Sequence, residues 1–412
     1  MKILIVNLSD IDGGAARAAY RLHKALLTEG VDNNMLVQNK FTDDFTIVGP
    51  VSKIEKEINN LRPGFDRLPV RFYKNRMDTV FSPSWLPFSG VVNKINNMNP
   101  DIVHLNWICD GMLRIEELMK IKASIVWSLH DNWAFTGGCH VKWSCEKYKE
   151  KCGACPQLSS GKEIDLSRRI WMRKRKTFSG ISNLTIVGLS KWMVNCAKES
   201  SLLSGKEIKY LPNPIFTDLF KPFDKKTAKE IWNLSSEKKI ILFGAKNALF
   251  DINKGFKEFN EALKNIKDKD IEIVVFGSSG LKDSEQSIFK TQYLGDLSDD
   301  VSLVTLYNAA DVVVVPSLQE NLSNSIMETL SCSTPVVAFN IGGNSDMIEH
   351  QKNGYLAKPL DTIDLAKGID WILDSPDYEK ICTNARGKIL RVFDSKVVVK
   401  KYIELYEEIL NN

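Results

Sequence analysis

The chain has 412 residues, of which 43% are hydrophobic and 26% charged, proportions that are ordinary for a globular protein with more than one domain. A net charge of +4 is too small to indicate a nucleic-acid-binding protein. No run of about 18 apolar residues predicts a membrane-spanning helix. Because the chain enters a strand at once without a signal-peptide pattern, we expect a cytoplasmic protein.

The first half of the chain alternates apolar runs of strand length with helical periodicity. The predicted strands cover 2–9, 101–108, 124–130 and 184–190, and the predicted helices cover 15–27, 113–121, 166–178 and a segment from 192 onward. Periodicity weakens between residues 40 and 90, where basic and aromatic residues are interleaved. We interpret this segment as an excursion from the sheet that faces an acceptor or a membrane. The alternative is a solvated loop with aromatic anchors.

A glycine pair, Gly13-Gly14, separates the first predicted strand from the first helix. Glycines at this place let a ligand approach the backbone amides of a helix N-terminus. The pattern is not G-x-G-x-x-G, so a nicotinamide enzyme is not expected. Asp10 and Asp12 form a D-x-D pattern, which we interpret as turn-forming residues of the loop.

The second half repeats this alternation after a proline-bounded linker at 212–222. Its predicted strands cover 239–244, 271–277, 311–316 and 335–339, and its helices cover 255–266, 303–310, 324–331 and segments after 361. The pattern predicts two doubly wound parallel α/β domains. We place them at 1–212 and 213–395, with an amphipathic last helix, 396–412, that returns to the first domain.

The stretch Asp311–Glu328 reads as a buried strand, a short loop and a helix. Glu320 lies in the loop, and Glu328 lies about two helical turns further on. Two carboxylates at this spacing can hold separate hydroxyl groups of one ligand while the amides between them face a phosphate. This is chemistry suited to a nucleotide sugar. Ser325–Glu328 also fits a capping box, in which Glu328 only completes the helix start.

This stretch, followed by Thr334-Pro-Val-Val-Ala-Phe-Asn-Ile-Gly-Gly343, resembles the E-x7-E signature of the retaining group 1 (family 4) glycosyltransferases. The resemblance implies a GT-B fold, with two facing Rossmann-like domains and a cleft between them. It also implies a nucleotide-diphosphate sugar donor and no cofactor for catalysis. The donor-binding residues that it implies are Gly13, Gly14, Lys254, Asn321, Leu322, Ser323, Asn324, Ser325 and Glu328.

Two further positions match the family and complete the predicted catalytic machinery. His130 ends the strand at 124–130, where the family carries a histidine beside the transferred sugar, so His130 and Glu320 are the predicted catalytic residues. Lys254 matches the lysine that binds the diphosphate. The family's second cation is missing, because Ala245 stands in its place, and Lys246 or Arg17 are the candidates to replace it.

The helix at 166–178 carries six basic residues in nine positions together with aromatic residues. We expect it to face anionic headgroups or a diphosphate-linked acceptor, and the alternative is a solvated helix face. The expected setting is the synthesis of a bacterial surface polysaccharide, such as capsule, O-antigen or exopolysaccharide. The expected partners are therefore the sugar donor, a glycan or lipid-linked acceptor and an anionic membrane surface.

Four cysteines, Cys139, Cys145, Cys152 and Cys155, fall within one polar loop. In a reducing compartment such a cluster predicts a structural zinc site more readily than disulfides. His140 is an alternative ligand, and free thiols remain the second interpretation.

Two other functions stay open at the level of sequence. A nucleotide-sugar epimerase of the same architecture would need several acids and bases, whereas His130 is the one well-placed histidine. A non-catalytic partner subunit would be expected to lack Glu320, Lys254 or the glycine pair, and all of these are present.

Overall fold

The chain divides into two compact units in this computed structural model, which describes residues 1–244, 251–267, 270–278, 280, 289–297 and 299–411. The amino-terminal unit comprises Met1–Asn213 and Val399–Asn412, and the carboxy-terminal unit comprises Pro214–Val398. Among the described residues, no helix is both long and apolar enough to cross a bilayer.

The amino-terminal unit is built on a seven-stranded parallel sheet in the order β3-β2-β1-β4-β5-β6-β7. Its strands are β1 Lys2–Ser9, β2 Asp32–Asn39, β3 Ile47–Val48, β4 Ile102–Leu105, β5 Ser124–Leu129, β6 Leu184–Gly188 and β7 Glu207–Tyr210. Its helices are α1 Gly14–Thr28, α2 Lys53–Asp66, α3 Leu68–Arg71, α4 Val91–Met98, α5 Leu166–Ser179 and α6 Lys191–Glu199. The strand order reverses between β1 and β4, which places a ligand-binding switch point there.

The carboxy-terminal unit contains a second parallel sheet, in which the described strands follow the order β10-β9-β8-β11-β12-β13. Its strands are β8 Lys239–Gly244, β9 Ile271–Phe276, β10 Thr291–Tyr293, β11 Val312–Val315, β12 Val336–Phe339 and β13 Gly354–Ala357. Its helices are α7 Lys225–Ile231, α8 Phe256–Leu263, α9 Asp300–Ala309, α10 Asn324–Ser331, α11 Asn344–Met347, α12 Thr362–Leu373 and α13 Tyr378–Val392. The switch point of this sheet lies between β8 and β11.

The central strands of both sheets are mainly apolar and are buried along most of their length, because helices cover both faces of a doubly wound sheet. In β11 all four valines are buried, and Val313 pairs with Leu242 of β8 on one side and Val336 of β12 on the other. The predicted pair of doubly wound parallel α/β sheets is therefore confirmed.

The last helix, α14 Ser395–Asn411, passes from the carboxy-terminal unit into the amino-terminal one. Its Tyr406 hydroxyl is hydrogen-bonded to Nδ1 of His104 at 2.6 Å. The other ring nitrogen of His104 lies 2.8 Å from the Ser128 hydroxyl. These three side chains are fully buried, so a polar bridge fixes the end of the chain to β4 and β5.

The structure corrects the prediction for the basic helix, which is α5. Lys174 is fully buried, and its ammonium donates to the carbonyls of Trp133 and Thr136. Burial lowers the pKa of Lys174 to about 7. Arg173 donates to Glu116 and to two backbone carbonyls, so it also serves the interior. The prediction that the cations of this helix bind lipid headgroups is therefore wrong for Arg173 and Lys174.

The segment at 40–90 is more regular than the sequence analysis indicated, because it contains α2 and α3. Strand β2 was also missed, since Asp32-Asn-Asn-Met-Leu-Val-Gln-Asn39 has polar residues at both ends. The middle of this strand is buried through its pairing with β1.

We expect the amino-terminal unit to lose stability as the pH falls from about 6.5 towards 4. Burial lowers the pKa of His104 to about 3 and that of His23 to about 4. In this range the unfolded chain binds a proton at each histidine and the folded chain does not, so the free energy of unfolding falls by up to about 1.4 kcal/mol per pH unit for each. Urea unfolding at a series of pH values measures this slope. His104→Gln should reduce this pH dependence by the contribution of one bound proton. An unchanged slope would contradict the lowered pKa of His104 in the folded protein.

Candidate functional site

The predicted site residues lie at the carboxyl ends of the parallel strands, near the switch point of each sheet. This edge of a doubly wound sheet gathers loops and helix N-termini, which makes it the usual ligand-binding edge. Each unit contributes its own set of residues.

In the amino-terminal unit, side chains following β4 and β5 are hydrogen-bonded to one another. His130, directly after β5, places Nε2 2.8 Å from the Asn106 amide oxygen, after β4. The Trp107 amide donates to the Asn7 side chain of β1 at 2.8 Å. Asn106, Trp107 and His130 also line one small cavity. The ends of three neighbouring strands are thus held in one arrangement around His130.

His130 is held in its neutral form. Burial lowers its pKa to about 4, and the nearby charge of Asp131 opposes this only in part. At neutral pH the imidazole therefore acts as a hydrogen-bonding group and carries no positive charge.

Asp131 is the charged neighbour of His130, and three donors fix its carboxylate. It accepts hydrogen bonds from the Trp107 indole at 2.7 Å and from the Trp133 amide at 2.8 Å, and it lies 2.6 Å from Nδ1 of His140. Burial raises the pKa of Asp131, but the pairing with His140 and the other donors outweighs this and holds the pKa below its ordinary value.

His140 uses both ring nitrogens within this network, since Nε2 lies 2.9 Å from the Ser82 hydroxyl. A histidine engaged in this way has no nitrogen left for a metal ion. Zinc binding by His140 would require it to give up the hydrogen bond to Ser82, and this alternative stays a prediction.

The glycine pair lies where the sequence analysis placed it, between β1 and α1. Gly13 has a φ of 98°, a conformation that favours glycine, and α1 begins at Gly14. Asp10 is fully buried and accepts from the amides of Phe41 and Thr42 and from the Thr42 hydroxyl. Its interpretation as a loop-forming residue is confirmed.

In the carboxy-terminal unit, the loop that carries Glu320 lies against two glycines. A Cβ added to Gly342 would stand 1.7 Å from the Glu320 carbonyl oxygen, and one added to Gly255 would stand 2.0 Å from the Pro316 carbonyl oxygen. The Gly343 amide donates to the same Glu320 oxygen at 3.2 Å. The backbone around Glu320 is therefore packed closely against the loops that follow β8 and β12.

Lys254 is positioned by its neighbour Asn253. The Leu318 amide donates to the Asn253 carbonyl, and the Asn253 side chain donates to the Gln319 carbonyl, each at 2.9 Å. Lys254 is half-buried, next to the residue that joins its loop to the Glu320 loop. Among the described residues its ammonium forms no ion pair. Of the two candidates for the second cation, Lys246 lies outside the described residues, as does Ala245, and Arg17 lies half-buried in the first turn of α1.

Ser323 is the N-cap of helix α10, and its hydroxyl accepts from the Ile326 amide. The capping-box alternative, with Ser325 as the cap and Glu328 completing it, is therefore wrong. Glu328 is instead buried, and its Oε2 accepts from the Tyr307 hydroxyl at 3.0 Å. Of the other predicted donor-binding residues, Asn321 and Leu322 are buried with Ser323, and Asn324 and Ser325 are half-buried at the helix start.

Several positioning groups were missed by the sequence analysis, notably Asn106, Trp107 and Asn253. The sequence could have indicated them by position, because Asn106 directly follows the buried strand β4 and Asn253 directly precedes Lys254. What the sequence could not reveal is which strand end each side chain would contact.

The four loop cysteines all line one small cavity. The Gly137 amide donates to the Cys152 sulfur at 3.1 Å, and the amides of Gln157 and Leu158 point to the Cys155 sulfur. Amide donors of this kind favour a thiolate, but burial outweighs them and raises the pKa of both the Cys152 and the Cys155 thiol. However, in the described part of the chain no three His, Cys, Asp or Glu side chains are grouped closely enough to hold a metal ion. Zinc binding stays a prediction.

Comparison with known proteins finds a family similarity in the carboxy-terminal unit. Residues 224–388 match the family model described as glycosyl transferases group 1. Over these residues the chain is similar to group 1 glycosyl transferases. This match covers the Glu320 loop, Glu328 and Lys254, and the resemblance drawn from the E-x7-E motif is confirmed.

Two curated relatives extend this similarity. An uncharacterized glycosyltransferase of Methanocaldococcus jannaschii is 27% identical over 42% of the chain and 46% of its own length. A protein of Escherichia coli described as a colanic acid biosynthesis glycosyl transferase, WcaC, is 23% identical over 86% of each chain. Three of the curated relatives are matched over between a quarter and about half of their own length.

Solved structures share the whole fold at low sequence identity. Sucrose-phosphate synthase from Thermosynechococcus elongatus superposes with a TM-score of 0.70 over 100% of both chains at 17% identity. Anabaena HepE, solved with UDP and glucose, gives 0.65 over 99% of this chain and 100% of its own at 16% identity. The predicted GT-B fold class is thus confirmed.

Gly342→Ala should destabilise the carboxy-terminal unit by roughly 2 kcal/mol or more, because its new Cβ meets the Glu320 carbonyl and its φ of 51° disfavours a side chain. Urea unfolding measures the change. Gly205→Ala is the matched control, since its Cβ would have no neighbour within 4 Å. Equal stability of the two variants would show that the close approach at Glu320 is not a constraint.

If the cysteine loop binds zinc, protein purified without chelator should contain about one zinc per chain by elemental analysis. Cys152→Ser should remove the metal and lower the melting temperature, whereas Cys382→Ser, in the carboxy-terminal unit, should leave the metal content unchanged. Less than about a tenth of an equivalent of zinc would refute the site.

Proposed function

We propose that this protein transfers a sugar from a nucleotide-diphosphate sugar to a hydroxyl group of a glycan or lipid-linked saccharide, with retention of anomeric configuration. The observation that carries the proposal is the Glu320 loop of the carboxy-terminal unit, held between two glycine loops with Lys254 beside it. This arrangement offers a carboxylate for sugar hydroxyls and a cation for a diphosphate on one sheet edge.

The donor side of the reaction follows from these groups. The bond from the sugar's anomeric carbon to the diphosphate breaks, and the Lys254 ammonium offsets the charge that develops on the leaving group. Glu320 orients the donor sugar, and Glu328 binds the ribose. HepE, which shares the fold, was solved with UDP and glucose, and this supports a UDP-sugar as the first donor to test.

Retention is proposed to need no protein nucleophile. The acceptor oxygen bonds to the anomeric carbon on the face that the diphosphate leaves, and the acceptor proton passes to the departing phosphate. His130, neutral because burial lowers its pKa to about 4, would donate or accept a hydrogen bond beside the reacting sugar without opposing the positive charge of its transition state.

The proposed setting is the synthesis of a bacterial surface polysaccharide by a hexosyltransferase that acts on the cytoplasmic face of a membrane. The similarity to WcaC over 86% of the chain supports this, because that protein is described as acting in colanic acid biosynthesis.

Incubation of the full chain with a panel of nucleotide sugars, without acceptor, tests the activity. We expect slow hydrolysis of one donor, and it should persist in EDTA because Lys254 takes the place of a metal ion at the diphosphate. Conversion of the nucleotide sugar to its epimer would instead identify an epimerase. Loss of hydrolysis in EDTA with rescue by Mn²⁺ would contradict the metal-free mechanism.

Glu320→Ala and His130→Ala should each lower kcat by roughly 10²-fold or more, because both remove interactions with the reacting sugar. Steady-state kinetics with the accepted donor measures the change. Glu237→Ala is a control, because Glu237 is exposed and stands just before β8, at the sheet edge opposite the proposed site. A higher KM for the donor with an unchanged kcat would contradict the catalytic role of the substituted residue.

Glu328→Gln should raise the donor KM about tenfold while it retains stability, because an amide oxygen can still accept from Tyr307. Tyr307→Phe removes the same hydrogen bond from the other side and is expected to lower stability without the same change in KM. If both variants only lowered the melting temperature, Glu328 would be a structural residue.

A further inference from the structure

Helix α2 presents its apolar residues to solvent. Ile54, Ile58, Leu61 and Phe65 follow one another at spacings of four, three and four residues, which aligns them along one face of the helix. Ile54 is 74% exposed and Leu61 is 60% exposed, and the other two are exposed by more than half. A helix on the surface of a globular domain normally buries this face.

A second face of the same helix, about 100° round the axis from the apolar one, is polar and buried. Arg62 donates from Nε to the Gly111 carbonyl at 2.6 Å, and the Asn59 side chain donates to the Gln38 carbonyl at 3.0 Å. Asp66 accepts from the amides of Ser84 and Trp85. These bonds fix the rotation of the helix, so the apolar side cannot turn inward without leaving buried polar groups unpaired.

The apolar surface continues past the end of α2. Phe72, directly after α3, is 85% exposed. We call the surface formed by Ile54, Ile58, Leu61, Phe65 and Phe72 the α2–α3 face.

Exposed cations accompany this face: Arg71, Lys74 and Arg76 stand close to Phe72 in the chain, and Lys53 is the first residue of α2. The exposed acids in the same segment are Glu57 and Asp78, so positive charge predominates. An apolar stripe bordered by lysine and arginine is the pattern of a helix that lies in the interface of an anionic bilayer. A symmetric contact between two copies would bring the cations of one copy near those of the other.

We propose that the α2–α3 face docks the protein onto an anionic membrane, with Ile58, Phe65 and Phe72 entering the acyl boundary and the bordering cations meeting lipid headgroups. This inference deepens the proposed function, on which it rests for the membrane location of the acceptor. It also replaces α5, whose central cations serve the interior, as the membrane-facing element.

Flotation with vesicles of phosphatidylglycerol and phosphatidylcholine tests the proposal, without donor or acceptor, so that its outcome is independent of sugar transfer. We expect binding at low salt that is weaker to pure phosphatidylcholine. Ile58→Asp with Phe65→Asp should lower the partition coefficient about tenfold or more. Ile363→Asp, at a 56% exposed isoleucine of α12, is the matched control and should bind as the parent does.

The charged border has its own test. Replacing Arg71, Lys74 and Arg76 by serine should weaken binding to the anionic vesicles, whereas replacing Lys226, Lys367 and Lys380, exposed in the carboxy-terminal unit, should weaken it less. Since all substituted side chains are exposed, each variant is expected to retain the parent melting temperature.

Three results would overturn the proposal. The first is an absence of vesicle binding at low salt. The second is binding that the Ile58→Asp, Phe65→Asp variant leaves unchanged. The third is a lipid-free dimer, measured by sedimentation, that the same variant dissociates, since the face would then be an interface between two copies.

Discussion

The contact between Gly342 and the Glu320 carbonyl is the constraint on which the carboxy-terminal site depends. Backbone approaches backbone here so closely that no side chain fits, and the Gly343 amide donates to the same oxygen. Gly255 makes a similar approach to Pro316 on the other side of the loop. The loop after β11 is therefore shaped by the loops after β8 and β12, which places Glu320 at the sheet edge where helix N-termini gather.

The amino-terminal site is built from side-chain hydrogen bonds, in contrast to the backbone packing around Glu320. His130 is joined to Asn106, and Asp131 is joined to Trp107 and His140, so the ends of β4 and β5 are held together by polar groups. His130 stays neutral because burial outweighs the nearby charge of Asp131, whose carboxylate is paired with His140. The cysteine loop contributes to this arrangement through His140.

Buried polar groups also explain why two helices differ from a simple amphipathic model. Lys174 of α5 points inward because the carbonyls of Trp133 and Thr136 and the face of Trp133, 3.5 Å away, receive its ammonium. Arg62 of α2 points inward for a similar reason, and the apolar face of α2 is consequently turned to solvent. In both cases charge pattern alone predicts the wrong surface, because the partner carbonyls belong to distant segments.

The sequence by itself determined the two α/β sheets, the strand–loop–helix that carries Glu320 and Glu328, and the residues that stand at strand ends. These features follow from local patterns, since valine and isoleucine runs favour buried parallel strands and glycine or proline residues mark their ends. Only the tertiary structure decided which polar side chains would be buried and paired. His140 meets Ser82 58 residues away along the chain, and Lys174 meets Trp133 41 residues away. No local pattern encodes such contacts, because they form only when the sheet brings the loops of different strands to one edge.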